Sequence, residues 1–142
     1  MTKRILIING PNLNLLGARE PQMYGNTTFE SYYATLQTNH PNVEFSYYQS
    51  NVEGEIINAL HNAINNVDAV IINPAGYSHT SVAIVDAISA IQLPVIEVHI
   101  SNIHARETYR QHTLTGSKCL GVISGLGLRG YELATNYLIN TI

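Results

Sequence analysis

Ala69-Val70-Ile71-Ile72-Asn73-Pro74-Ala75-Gly76-Tyr77-Ser78-His79-Thr80-Ser81 is the stretch on which the reading of the fold turns. It opens with successive apolar residues and no polar alternation, the pattern of a strand covered by helices on both faces. The run breaks at Asn73-Pro74 into a turn-rich polar loop. Val82, Val85, Ile88 and Ile91 then recur at helical spacing until Pro94 stops the pattern. Strand, polar loop and helix in that order make up most of a βαβ unit.

The same alternation extends in both directions. Residues 5–8 read as a first strand, 43–48 as a second, 69–72 as a third, 95–98 as a fourth and 119–123 as a fifth. The second alternates polar with apolar residues, which suits the edge of a sheet. Thr27-x-x-Glu30 and Ser50-x-x-Glu53 fit the capping box that satisfies the free amides of a first helical turn. Val52, Ile56, Leu60 and Ile64 stripe one helix, and Tyr131, Ala134, Leu138 and Ile142 stripe the last. A short helical turn is expected over 107–111. The expected architecture is α/β: a flavodoxin-like three-layer sandwich around a five-stranded parallel sheet, order 2-1-3-4-5. The whole chain, 1–142, makes a single domain with no repeat or linker.

Composition narrows the partners. Seven basic residues stand against ten acidic ones, and no basic run offers an electrostatic footprint for nucleic acid. No apolar stretch approaches the roughly 18 residues that span a membrane. No signal-peptide pattern precedes the first strand, and Cys119 is the single cysteine, so the expected location is cytoplasmic. Charged residues make up only 12%, about half the usual share, which points to surface buried between subunits.

In open α/β sheets, ligands bind beyond the carboxyl ends of the strands. Those ends carry Asn9-Gly10-Pro11-Asn12-Leu13-Asn14, with Arg19 and Tyr24 in the loop that follows, and Asn73 to Ser81. They also carry His99-Ile100-Ser101-Asn102 with His104, Arg106 and Arg110 beyond, and Ser124-Gly125-Leu126-Gly127. Each feature has a plain structural reading. The Gly-Pro and Asn-Pro pairs are turns, His99 is a hydrogen-bonded strand-end histidine, Arg19 is a solvated loop charge, and Tyr24 is one of nine tyrosines. Their gathering at one rim favours a site.

Absences sort the alternatives. A phosphoacceptor domain needs acids after strands one and three and a lysine after strand five, where this chain has Asn9, Asn73 and Ser124. Pro11-Asn12-Leu13-Asn14-Leu15-Leu16 is too bulky for a phosphate loop of a flavin or dinucleotide binder. Gly76-Tyr77-Ser78-His79-Thr80 nearly matches the G-x-S-x-G nucleophile elbow but lacks its last glycine. No metal-ligand spacing is present. A non-catalytic small-molecule binder and a hydrolase using Ser78 and His79 stay open at this point.

Five motifs carry a more specific resemblance. Gly10-Pro11-Asn12-Leu13-Asn14-Leu15-Leu16-Gly17 with Arg19-Glu20-Pro21 and Tyr24-Gly25 is the first, and Gln49-Ser50-Asn51-x-Glu53-Gly54-Glu55 the second. Asn73 to Ser81 is the third, Glu97 to Glu107 the fourth, and Gly125-Leu126-Gly127 with Gly130-Tyr131 the fifth. In that order, over nearly the whole chain, they resemble the type II 3-dehydroquinate dehydratases. Gly76 and Ser78 stand where that family more often has alanine and threonine, and Thr113 where it often has serine.

The resemblance implies a lyase acting on one small-molecule substrate, with no cofactor, no metal, no nucleic acid and no membrane. The implied reaction is trans dehydration of 3-dehydroquinate to 3-dehydroshikimate through an enolate. That step serves the shikimate pathway of aromatic amino-acid biosynthesis, or quinate breakdown. By the same resemblance, Tyr24 removes the proton, Arg19 stabilises the tyrosinate, and His99 protonates the departing hydroxyl. Asn12 helps hold the enolate and Glu97 orients His99. Backbone at Ile100 and Ser101 binds the substrate carboxylate, while Asn73, His79, Asp86 and Arg110 bind its oxygens. Asp86 would reach in from a neighbouring subunit of a homododecamer built from trimers.

The proposed base is energetically reasonable. Tyrosine's ordinary pKa is about 10, so lowering it by about 2–3 for work near neutrality costs about 3–4 kcal/mol. A guanidinium about 4 Å away supplies up to about 4 kcal/mol at an effective dielectric near 20.

Overall fold

Five parallel strands, Lys3–Asn9 (β1), Val43–Gln49 (β2), Ala69–Asn73 (β3), Val95–His99 (β4) and Gly121–Ser124 (β5), line up in the order β2-β1-β3-β4-β5. The computed structural model describes residues 2–17 and 27–142. Helices Phe29–Asn39 (α1), Glu53–Ala63 (α2), Val82–Ile91 (α3) and Arg129–Ile139 (α4) join or follow the strands. The expected fold and strand order are the observed ones, and β2 is indeed at an edge.

Every residue of β3 and β4 is buried, as their unbroken apolar runs require of central strands. Strand alternation then divides the core. Ile5, Ile7, Ala69, Ile71, Ile96 and Val98 face Phe29, Leu36, Tyr131, Ala134 and Leu138 of α1 and α4. Ile8, Val70, Ile72 and Val95 face Ile56, Leu60, Ile84, Ala87, Ile88 and Ile91 of α2 and α3. The first layer is aromatic: Phe29 stacks on Tyr47 at 4.7 Å and meets Tyr131 edge-on at 5.0 Å.

Several local expectations shift by a residue or two. Helix α1 is capped by Thr28, whose hydroxyl accepts from the Ser31 amide at 3.2 Å. Glu30 therefore sits one position too early to close a box with Thr28. Ser50 accepts from the Val52 amide at 2.9 Å and donates to Glu55, while Glu53 accepts from Ser81. The second box is thus a bridge between α2 and α3, with Ser81 also capping α3 through the Ile84 amide.

Val52 and Ile64 flank α2 and are exposed, and Val82 is 62% exposed at the start of α3. Ala63, Ile84 and Ala87 take the buried places instead. Ile142 lies beyond the end of α4 and packs only partly buried against the aromatic layer. The 107–111 turn is a single 3-10 turn, Thr108–Arg110. The fifth strand starts at Gly121, because Cys119 turns to place its thiol on the Thr115 carbonyl at 3.4 Å. Burial first, and Glu97 second, push that thiol up to about 12, so it is a packing group and not a nucleophile. No helix among the described residues is long and apolar enough to cross a membrane.

Candidate active site

Parallel register gathers the strand ends. Asn9 pairs with Gln49 on one side and Asn73 on the other, and His99 pairs with Ser124. Above them lies a cavity of about 210 Å³. Asn12, Asn73, His79, His99, Ile100, Ser101 and Arg110 all line it, as does Arg106, which the sequence placed at the rim without a role. A groove of about 490 Å³ between β2 and α2 is larger, but asparagines and apolar side chains dominate its walls. Chemistry and not volume picks the rim cavity. Asp86 is exposed on α3 and does not line the cavity of its own chain. Tyr24 and Arg19 lie outside the described residues.

Glu97 sits below His99, fully buried, two residues earlier on the same face of β4. Its Oε2 is 2.7 Å from His99 Nε2 and accepts from the Thr113 hydroxyl at 2.6 Å. Its Oε1 accepts from the Thr115 hydroxyl. With Glu97 holding Nε2, the imidazole has Nδ1 left for exchange with a ligand. His79 stacks beside His99, ring centres 6.4 Å apart, and its Nδ1 donates to the His112 carbonyl at 2.7 Å. Thr115 had no sequence signal for this role, and Thr113 only its departure from the family's usual serine, since they lie 18 and 16 residues from Glu97.

Asn73 is held by a separate group on the opposite face of the sheet. Its Nδ2 donates to the Tyr131 hydroxyl at 3.1 Å, and its Oδ1 accepts from the Ala75 amide at 3.0 Å. Tyr131 in turn donates to Asn9 Oδ1 at 2.7 Å, and Asn9 Nδ2 donates to Tyr47 at 3.3 Å. Burial holds the Tyr131 phenol well above its ordinary value, so it stays a donor.

Two loops meet over this floor. The Gly10 amide donates to the Asn73 carbonyl at 2.8 Å, and a Cβ at Gly10 would stand 2.5 Å from the Pro74 oxygen. Asn51 accepts from the Asn12 amide at 3.0 Å and from Gln49 at 3.2 Å, fixing Asn12 in a left-handed turn with φ 72°. Ala75, with φ 54°, is the costlier outlier, since alanine lacks the local hydrogen bonds that help asparagine there. Such strain costs about 1–3 kcal/mol and collects at functional sites.

The cationic wall comes from the segment after β4. Arg110 Nε lies 3.3 Å from Glu107 Oε1 as an ion pair, while its guanidinium sits 5.1 Å over the Tyr109 ring. The pair is not a hydrogen bond, because that buried Nε finds no hydrogen-bond partner among the described residues. The Tyr109 hydroxyl, donating at 2.6 Å, holds Glu107 down to about 2, with Arg110 adding to the effect. Arg106 reaches the Ser101 hydroxyl at 3.5 Å.

Ser78 does not serve as a hydrolase nucleophile. It is fully buried, and its hydroxyl donates to the Ala75 carbonyl at 2.8 Å within its own turn. His79 is committed to the His112 carbonyl and not to Ser78.

A parallel α/β sandwich with an imidazole–carboxylate pair under a polar, cation-walled rim cavity has the layout of an enzyme that moves protons. Residues 3–139 match the family described as dehydroquinase class II, and the chain belongs to that family. It is 51% identical over 141 residues to a 3-dehydroquinate dehydratase of Vibrio cholerae, covering 98% of this chain and 94% of that one. A 3-dehydroquinate dehydratase of an Exiguobacterium species is 53% identical over 137 residues, covering 96% and 94%. Among solved structures, the type II dehydroquinase of Butyrivibrio crossotus superposes with a TM-score of 0.94 at 43% identity, covering 97% and 98% of the two chains.

Proposed function

We propose that this chain dehydrates 3-dehydroquinate to 3-dehydroshikimate by trans elimination through an enolate. The observation that carries the reading is the buried Glu97–His99 pair at the floor of the cavity, 2.7 Å between Oε2 and Nε2. In this reading Tyr24, activated by Arg19, takes the proton next to the ketone. The electron pair moves into an enolate whose oxygen Asn12 helps hold. Collapse of the enolate expels the hydroxyl, which His99 protonates, so that water leaves and a conjugated enone forms.

Glu97 fixes the imidazole so that its other nitrogen faces the leaving group, a positioning effect that keeps the acid in line with the bond that breaks. The substrate carboxylate is held by backbone at Ile100 and Ser101. Asn73, His79 and Arg110 bind its remaining oxygens, and Asp86 reaches in from a neighbouring subunit. The assembly is a homododecamer of trimers, and the enzyme works in the cytoplasm, in aromatic amino-acid biosynthesis.

Incubation with 3-dehydroquinate tests the reaction directly, since the conjugated product absorbs in the ultraviolet and the substrate does not. No rise in absorbance from folded protein would sink it. Light scattering at low micromolar concentration tests the assembly, with a mass far above 15.6 kDa expected. A fully active monomer would overturn the shared role of Asp86.

A further inference from the structure

We infer that Thr113 and Thr115 are positioning residues for the reaction, acting through Glu97 to set which nitrogen of His99 faces the substrate. The inference rests on the dehydratase reading above. Both threonines come from the segment before β5, remote in sequence from Glu97, yet each places a hydroxyl on a different carboxylate oxygen. The Gly116 amide donates to the Thr113 oxygen at 3.0 Å, which directs the Thr113 hydroxyl hydrogen toward Glu97. Thr115 is fully buried, so water does not substitute for it.

The site is also built to close tolerance. A Cβ at Gly116 would stand 2.7 Å from the Thr113 methyl and 3.2 Å from Glu97 Oε2. Glu97 therefore meets donors on both oxygens and has one orientation that satisfies them all. That orientation fixes Oε2 against His99 Nε2 at 2.7 Å. A carboxylate anchored at one oxygen only can rotate and let the imidazole flip, presenting the wrong nitrogen to the cavity.

Thr115→Val keeps the shape and removes the donor. Its expected kinetics are a kcat about 10- to 100-fold lower, the range for losing one hydrogen bond to a charged group, with KM little changed. The pH profile of kcat should shift, and Thr115→Ser should recover most of the rate. Solvent exchange of the proton next to the ketone should persist while elimination slows. In nitrogen-15 histidine spectra, the His99 Nε2 proton should be sharp in the parent and broadened in Thr115→Val, whether or not substrate turns over.

A parent chain that fails to dehydrate 3-dehydroquinate would sink the functional reading and leave the spectroscopic arm standing. An active parent beside a Thr115→Val variant with unchanged kcat, pH profile and Nε2 signal would overturn the positioning role. A fall in kcat not recovered by Thr115→Ser, or a rise in KM alone, would also overturn it. If Thr115→Val does not fold, Thr113→Val carries the same measurements at the other oxygen.

Discussion

Two buried polar groups underlie the same cavity, one on each face of the sheet, and they are built from different chemistry. On the face covered by α1 and α4, Asn9, Asn73, Tyr47 and Tyr131 share hydrogen bonds among amides and phenols that stay neutral. On the face covered by α2 and α3, Glu97 and His99 pair a carboxylate with an imidazole under two threonine donors. The alternation of side chains along β3 and β4 sends Asn73 to one face and Glu97 to the other. The neutral group has nothing to ionise at ordinary pH and serves to hold the rim in shape. The charged group holds His99, the ring read as passing a proton to the leaving hydroxyl. Damage to the first, apart from Asn73 with its proposed hold on the substrate, should therefore appear as lost stability, and damage to the second as lost rate.

The largest expected effect lies outside both groups, at the proposed base. Tyr24→Phe should lower kcat by about 10³-fold or more and abolish solvent exchange next to the ketone. His99→Asn should lower kcat by about 10²–10⁴-fold yet leave that exchange intact. Exchange at the parental rate in Tyr24→Phe would show that another residue is the base. The comparison would then need redrawing, with the charged group as the first place to look.

The next test sets the two faces against each other. Glu97→Gln should lower kcat about 100-fold, because its amide keeps one acceptor oxygen where the carboxylate had two, and a buried donor is left facing the NH2 group, costing about 1–3 kcal/mol as well. Tyr131→Phe should leave kcat close to the parent but strand Asn9 and Asn73, costing about 1–3 kcal/mol. That corresponds to roughly 2–4 °C of Tm per kcal/mol at this size. Equal rate losses in the two variants would erase the division of labour.

Legibility in the sequence followed the same division. The strands, their order and the rim residues His99, Asn73 and Asn12 could be read because they depend on short-range pattern and on the rule that ligands sit beyond strand ends. Helix boundaries could not be read to the residue. Thr28 and Thr27 offer the same hydroxyl, and it is Thr28, next to the buried Phe29, that caps. The stripe from Val82 held at Ile88 and Ile91, which are buried, but at its start Val82 is exposed and the buried face runs through Ile84 and Ala87. Thr115 was illegible as a site residue, and Thr113 showed only as a departure from the family's usual serine, for a different reason: their contact with Glu97 exists only once the segment before β5 folds back over β4.

Alkaline pH gives a smaller effect that sharpens the account of the neutral group. Burial raises the Tyr131 phenol, and raises Tyr32 to about 12, above the unfolded value of about 10. Their contribution is fully present below pH of about 10 and is lost as pH rises through the higher folded values. Chemical denaturation from pH 9 upward, at steps of about half a unit, should show stability falling. The fall should be shallower in Tyr131→Phe, and equal slopes would mean that this phenol is not kept neutral by the fold.

The smallest effect is a null result at the far end of the sheet. Lys3 opens β1, where its ammonium donates to the Ile139 carbonyl, and Lys118 precedes β5. Both are at the end opposite the cavity, so no imine with a ketone substrate should form. Borohydride added during turnover should leave activity and mass unchanged. A mass increase on either lysine would place chemistry where neither polar group can reach it.

The contact of Gly10 with Pro74 bears on how the cavity can be reshaped for ligands of another size. Any side chain at position 10 drives the two loops apart, because the atom it meets is backbone and has nowhere to go. Position 76, on the cavity wall, is open: a Cβ there meets nothing within 4 Å. Selectivity between bulkier and slighter cyclic acids can therefore be graded at Gly76, one methyl at a time, while the spacing of the walls is set at Gly10 and admits no gradation.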